Sequence, residues 1–353
     1  MSSEPKIVWF DGDGPLDPPT LGGKCRNLVA LTRSALPVPP GFAIPAEMFV
    51  AFIDAAGLRE HLERAFTLGD SSIGEDHAAH LMRLIAQADM PSSFRRGILD
   101  AYSELGERIG VAKPRVAVRS SATTEDLEMA SAAGQQLTLL DVSGDANVIA
   151  AVLQCWASLF SHHALAYQRQ RGLHHAVDLP AMAVGVQALV PARASGVMFT
   201  ADPISRDSSR IVIEAIGGLG EPLVGGEVTP DRHVIDKQTG RMIEQRIGDK
   251  RVELAYTATS SFRRAVPTEQ RRLPCLTHDD HERLLVLARA VEAVLGSDQD
   301  VEWAIDQAGR CFLLQARPIT ASGSASCPPE QSPQAVHPRS ALLSEMYCRW
   351  PGS

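Results

Sequence analysis

The chain has 353 residues, 44% of them hydrophobic, with 34 basic and 42 acidic side chains and a net charge of −8. That length buries a sizeable core in two domains or one large two-lobed domain, and the dispersed, acidic charge excludes a basic nucleic-acid surface. No apolar run is expected to span a membrane and MSSEPKIVWF lacks the layout of a secretion signal, so a cytoplasmic protein with no membrane partner is expected. The six cysteines, at 25, 155, 275, 311, 327 and 348, form no CxxC pair and no Cys/His metal spacing, and reduced thiols are expected. In chain order, Lys6 to Phe10 read as a short strand and DGDGPLDPP as turn chemistry. In LGGKCRNLVAL two glycines precede Lys24 and open an amphipathic helix through Asn27, Leu28 and Leu31. Backbone N–H groups and an ammonium can meet one phosphate there. GGK alone is a weak signal, since the GxxxxGK[ST] spacing is absent. PVPPGFAIPAEMFVAFI predicts a rigid connection into a helix. Residues 57–110 read as helical, with His61, His77 and His80 at surface or packing positions.

The stretch Arg115 to Val142 predicts a strand through Val116 and Val118 that opens at Arg119 into a Ser/Thr loop, with a helix start near Glu125 and Asp126. Ala130 to Gly134 is so small in side chain that backbone can approach a ligand. This suits a polyphosphate cradle; an arginine capping a carbonyl beside a solvated loop fits the same composition. Asn147 to Arg171 predict one helix with His162 and His163 at its middle, a poor metal pair because adjacent residues diverge. Met182 to Val190 predict an apolar strand interrupted by Gln187, and Ser195 to Pro203 a strand ending in a turn with Thr200 and Asp202. Ile211 to Ile216 predict another strand. Five glycines from 217 to 226 surround Glu221, and Asp231 precedes a strand from His233 to Asp236. Glu244 to Cys275 are expected to form a mobile polar surface segment. Leu276 to Leu295 predict a helix capped by Thr277, with Asp279 and Asp280 in its first turn.

The last patterned block, Asp300 to Thr320, predicts a hairpin: Val301, Trp303 and Ile305 alternate with Glu302, Ala304 and Asp306, and Cys311 to Ala316 return. On it Glu302 faces Gln315, with Arg317 one residue pair further along. A carboxylate oxygen, an amide oxygen and a guanidinium suit a Mg-polyphosphate. A Ser/Pro-rich tail follows Thr320.

VRSSATTEDLEMASAAGQQLTLLDV resembles the nucleotide-binding signature of the phosphoenolpyruvate synthase, pyruvate phosphate dikinase and rifampin phosphotransferase family, roughly VRSSATAEDLPDASFAGQ followed by an acid, Thr and a strand. Ala132 stands where the family has Phe, and Leu137 where it has Glu or Asp. LGGKCRNL is similar to the family's LGGKGANL, and PVPPGF, SGVMFTADP, GLGE and the QARP of the last hairpin are further matches; His233 replaces a usual Tyr. The resemblance covers about residues 5 to 320 and implies an α+β, two-lobed ATP-grasp fold with Mg-ATP in the inter-lobe crevice. The lobes would be residues 1–185 and 186–320, with 321–353 as the tail. It further implies that Lys24, Arg119 and Arg317 act on the phosphates, that Gln187, Leu189 and Val190 hold adenine, that Glu221 lines the site, and that Glu302 and Gln315 bind Mg2+. Family enzymes carry the phosphoryl group on a histidine in a swivelling domain, within a motif like GGxTSH, which this sequence does not contain. Three expectations follow: an ATP-binding component whose partner is a separate phosphohistidine-domain protein, a self-sufficient kinase with a small-molecule acceptor, or a non-catalytic ATP-binding module.

Overall fold

The computed structural model describes residues 5–14, 16–67, 75–123, 137–170, 179–257 and 260–319. The chain divides into two units, the first from residues before Ala30 together with Pro40–Leu189, the second from Ala30–Pro39 and the residues from Val190 on.

The first unit runs β1 (Val8–Trp9), α1 (Pro18–Arg33), β2 (Gly41–Ile44), α2 (Ala46–Ala55), α3 (Arg59–Thr67), α4 (Glu75–Gln87), α5 (Ser92–Ile109), β3 (Val116–Ala122), β4 (Thr138–Val142), α6 (Asp145–Ser158), α7 (His162–Gln170) and β5 (Met182–Ala188). Its sheet has the order β1-β2-β5-β3-β4 with antiparallel pairs throughout. Alternation sorts β3 and β5 between two faces. Val116, Val118, Val184 and Val186 join the helical core, where Trp156 of α6 stacks on Phe52 of α2 at 5.0 Å. Burying one such ring contributes about 1.5–3 kcal/mol, so this cluster anchors the unit. The other face carries Ala117, Arg119 and Ser121 opposite Gln187, Gly185 and Ala183.

Three expectations are corrected in this unit. The strand does not open at Arg119: β3 continues to Ala122 because Arg119, Ser120 and Ser121 pair with Gly185, Val184 and Ala183 of β5. The loop expected at Glu125, Asp126 and Ala130 to Gly134, Ala132 included, lies outside the described residues. The single helix expected over 147–171 is two, since α6 ends at Ser158 and α7 begins at His162, which puts the exposed His162 and His163 at a helix start. Contrary to the expectation about apolar runs, Asp145–Ala166 is long and apolar enough to cross a membrane; it is mostly buried, with Val148, Val152 and Trp156 inside the protein core.

The second unit runs β6 (Ala192–Phe199), β7 (Arg210–Gly217), α8 (Glu221–Val224), β8 (Asp231–Asp236), β9 (Met242–Arg246), β10 (Val252–Tyr256), β11 (Ser261–Ala265), α9 (His278–Leu295), β12 (Gln299–Asp306) and β13 (Cys311–Pro318). Six strands form one antiparallel sheet in the order β13-β12-β6-β7-β8-β9, and β10 and β11 a separate hairpin. α9 starts as the sequence predicts: Thr277 and Asp280 make a reciprocal capping box. Leu284, Leu287 and Val291 of α9 share a core with Met198, Ile211, Ile213, Val301 and Trp303 on one face of the sheet. Gly196 lies opposite Trp303, and a Cβ there would stand 1.8 Å from Glu214 O and 2.7 Å from the Trp303 ring. Glu244 to Cys275 are not a mobile surface segment: they hold the end of β9, the β10–β11 hairpin, and Lys250, whose buried ammonium pairs with the buried carboxylate of Asp231. Helices and antiparallel sheets in two lobes make this the α+β fold that the sequence implies.

Candidate functional site

In the first unit the candidate residues gather where α1 meets β3. Gly22 kinks α1 with φ 63°, and a Cβ on it would stand 2.4 Å from Ser121 O, so only a glycine allows the helix backbone to lie on the strand. The contact is fastened on both sides, with Cys25 N donating to Ser121 Oγ (3.2 Å) and Ser121 Oγ donating to Leu21 O (2.9 Å). Lys24, 3% exposed, is thereby carried to the strand, where its ammonium donates to Ser120 O at 2.9 Å. Arg119 is buried next along β3 and faces Gly185 of β5, whose missing side chain leaves room beside Cys25 Sγ. Two cations, Lys24 after the kink of α1 and Arg119 in β3, are therefore buried beside the contact of helix and strand. Leu137 N donates to Ser120 Oγ at 3.0 Å, so the residue at the departure from the family pattern ties the strand to the chain returning into β4.

Gln187 lies on the same sheet face as Arg119, two residues from its partner Gly185. It is 1% exposed, and its Nε2 has no hydrogen-bond partner among the described residues. A buried amide nitrogen without an acceptor is uncommon enough to call for a ligand or water. Beyond it, Leu189 N donates to Arg115 O (2.9 Å) and Val190 O accepts from Ala192 N (2.8 Å). Leu189 C=O and Val190 N–H are the main-chain groups of that pair left without a backbone hydrogen bond among the described residues.

In the second unit β12 and β13 pair as the sequence predicts: Glu302 lies opposite Gln315 and Asp300 opposite Arg317. Directly opposed residues of an antiparallel pair project from one face, as do residues two apart on a strand. All four therefore share a face, the one turned away from α9. Gln315 is 4% exposed and Glu302 half-buried. Arg317 Nε donates to Asp300 Oδ2 at 2.5 Å. Burial pushes the Asp300 carboxyl up, and the Arg317 guanidinium opposes that shift without cancelling it.

Other candidates stand apart. Glu221 sits on α8, exposed, and pairs at 2.6 Å with Arg263, which also binds Glu227. Thr200 and Asp202 shape the turn after β6: Thr200 Oγ1 accepts from Gln299 N, and Asp202 Oδ1 accepts from Ile204 N and Ser205 N, both at 2.9 Å. Among the described residues no group of three His, Cys, Asp or Glu side chains forms a preformed metal cage. Mg2+ rarely needs one, because it takes one or two carboxylates and leaves its other positions to phosphates and water.

Sequence reasoning gave no role to Asp300 or Glu214. Asp300 was visible as an acid two residues before Glu302, matching the two-residue offset of Gln315 and Arg317. Glu214 was visible as one charge inside the apolar run IVIEAI of β7. Glu214 is 2% exposed, and burial raises its carboxyl to about 7 against the pull of Arg232. On the α9 face the His233 and His281 rings lie tilted at 59° with centroids 4.5 Å apart and share a contact of 3.2 Å between His281 Nε2 and His233 Nδ1. Burial, reinforced by His281, holds His233 down to about 4.

Comparison with known proteins places the chain in a family. The family model described as pyruvate phosphate dikinase, AMP/ATP-binding domain, matches residues 18–336. The chain is 37% identical over 324 residues to a probable phosphoenolpyruvate synthase of Methanothermobacter thermautotrophicus, covering 91% of this chain and 47% of that one. It is 36% identical over 351 residues to a probable phosphoenolpyruvate synthase of Staphylothermus marinus, covering 90% and 42%. With the phosphoenolpyruvate synthase of Aeropyrum pernix it shares 38% identity over 347 residues, covering 89% and 42%. The chain thus spans less than half the length of these relatives.

Proposed function

The chain belongs to the pyruvate phosphate dikinase AMP/ATP-binding domain family, with its two-lobed ATP-grasp fold, and from that premise we propose that it is the Mg-ATP-dependent phosphotransfer component of a phosphoenolpyruvate synthase-like system. The observation that carries this reading is the β12–β13 hairpin, which presents two oxygen donors and a guanidinium on one sheet face. Glu302 and Gln315 fit a hard cation, since both offer oxygen from opposed positions. Mg2+ held there would supply positive charge to offset the negative charge that develops in phosphoryl transfer.

The chain's own residues do the rest. In this reading Lys24, Arg119 and Arg317 hold phosphate oxygens and act by positioning and electrostatic stabilisation, the main levers in phosphoryl transfer. Gln187 Nε2, Leu189 C=O and Val190 N–H supply hydrogen bonds to the edge of the base. Glu221 contributes at most through the exposed ion-pair cluster it forms with Arg263. The histidine carrier and the acceptor are assigned to what such relatives hold outside the matched span, on the same polypeptide or another.

Nucleotide chromatography after incubation with Mg-ATP tests the reading. The expected result is little AMP from this chain alone and AMP formation once a phosphohistidine-domain protein is added. ADP formed with a small-molecule acceptor would instead identify direct γ-phosphoryl transfer. Absence of any Mg-ATP binding would remove the reading altogether.

A further inference from the structure

Glu214 occupies an unusual place. It lies in β7 between two strands, opposite Val197 of β6 and Arg232 of β8, and Val197 in turn lies opposite Glu302 of β12. Gln315, Glu302, Val197, Glu214 and Arg232 therefore form one row across five strands on one face. Two strand spacings set the Glu302 and Glu214 backbones about 10 Å apart. Half-buried Val197 forms a low apolar floor between them.

A carboxyl kept in an apolar strand for structure alone would give both oxygens to protein donors. Glu214 does not: its Oε2 is buried and has no partner among the described residues. The cation opposite it, Arg232, donates to Glu244 Oε2 at 3.1 Å. Glu253 of β10, which approaches Gly217 at the end of the same strand β7, is itself held by Arg264 at 3.0 Å. The open oxygen thus belongs to a row that already holds Glu302 and Gln315, and an anion would meet repulsion from both acids.

We propose that Glu214 is a further metal-binding residue of this face, supplying a carboxylate oxygen to a divalent cation that arrives with the nucleotide. The inference rests on the reading of Glu302 and Gln315 given above. Binding of a non-hydrolysable ATP analogue to the full chain, measured by calorimetry in excess Mg2+ and in EDTA, separates the two. Wild-type protein should bind more tightly with Mg2+; Glu214→Gln should leave binding in EDTA unchanged and reduce the Mg2+ enhancement about tenfold, the lower end of what lost metal-supporting groups cost. An undiminished enhancement in Glu214→Gln overturns this inference and leaves the functional reading standing. No binding by wild-type protein in either condition overturns both. Should Glu214→Gln fail to fold, Fe2+-directed oxidative cleavage of the wild-type chain with the analogue bound gives the answer: cuts near both Glu214 and Glu302 support the proposal, and cuts near Glu302 without any near Glu214, or no cuts at all, overturn it.

Discussion

The six-stranded sheet of the second unit uses its two faces for opposite ends, although the same strands supply both. Along β12, Val301, Trp303 and Ile305 go under α9, while Asp300 and Glu302 go to the other side. Along β7 and β8, Ile213 and His233 sit on the α9 side, and Glu214 and Arg232 on the other. The α9 face is apolar and closed, and the two histidines it buries, His233 and His281, meet each other there. The opposite face keeps the buried carboxyl of Glu214, whose Oε2 has no partner among the described residues. Packing thus fixes the strands from one side, which leaves the other side to carry the charged and amide groups of the proposed site.

The largest expected effect lies on the closed face. Trp303→Ala should cost about 3–5 kcal/mol, because a fully buried indole leaves a cavity under α9. Denaturant titration followed by circular dichroism should show a large loss of midpoint; a change under 1 kcal/mol would mean that this face does not anchor the sheet.

The next effect separates the faces by pH. Glu214 is raised from 4.5 to about 7, so the folded state holds more protons than the unfolded state between those values, and its contribution to stability falls as pH rises through that window. His233 is lowered from 6.5 to about 4, so the unfolded state holds more protons, and its contribution is lost as pH falls from 6.5 to 4. Each amounts to about 3 kcal/mol across its window, with opposite sign, and the two offset each other between about 4.5 and 6.5. Glu214→Gln should therefore make stability climb more steeply with pH there, and His233→Phe should turn the slope downward. Parallel pH profiles for wild type and both variants would refute the opposition.

Glu302→Gln tests the open face alone. The unliganded variant should melt with the wild type, yet it should lose most of the stabilisation by Mg-ATP, about 2.7 kcal/mol at 100 times Kd. A full ligand-induced thermal shift in this variant would assign the hairpin to structure. Smallest of all, Arg263→Ala should leave the melting temperature unchanged, because its pairs with Glu221 and Glu227 are exposed.

Much of this was legible in the sequence where the signal was local. The alternation from Asp300 to Asp306, the return through Gln315, and the Thr277–Asp280 cap need only neighbouring residues, and each is present. What depends on distant partners was not legible. Arg119, Ser120 and Ser121 have loop composition, yet β5 captures them as strand from more than 60 residues away. Lys250 reads as surface until Asp231 supplies a buried carboxylate. Residues 159–161 interrupt a helix whose apolar periodicity runs on, and no proline or glycine marks the break. The polar surroundings of Lys24 were suggested by GGK, but the fastening to Ser120 and Ser121 is tertiary, and so is the row that holds Glu214.

The pairing of Asp300 with Arg317 gives this hairpin a resident anion. A phosphate reaching Arg317 therefore substitutes for a carboxylate and does not fill a bare positive charge, so a simple anion such as chloride gains little by the exchange. On the proposed reading, Asp300 so displaced would lose the guanidinium that opposes its upward shift, and a divalent cation at Glu302, two residues away on the same face, would take over that role. On the proposed reading, anion and cation would thus favour each other's arrival: free polyphosphate and free metal would each bind poorly, and together they would bind well.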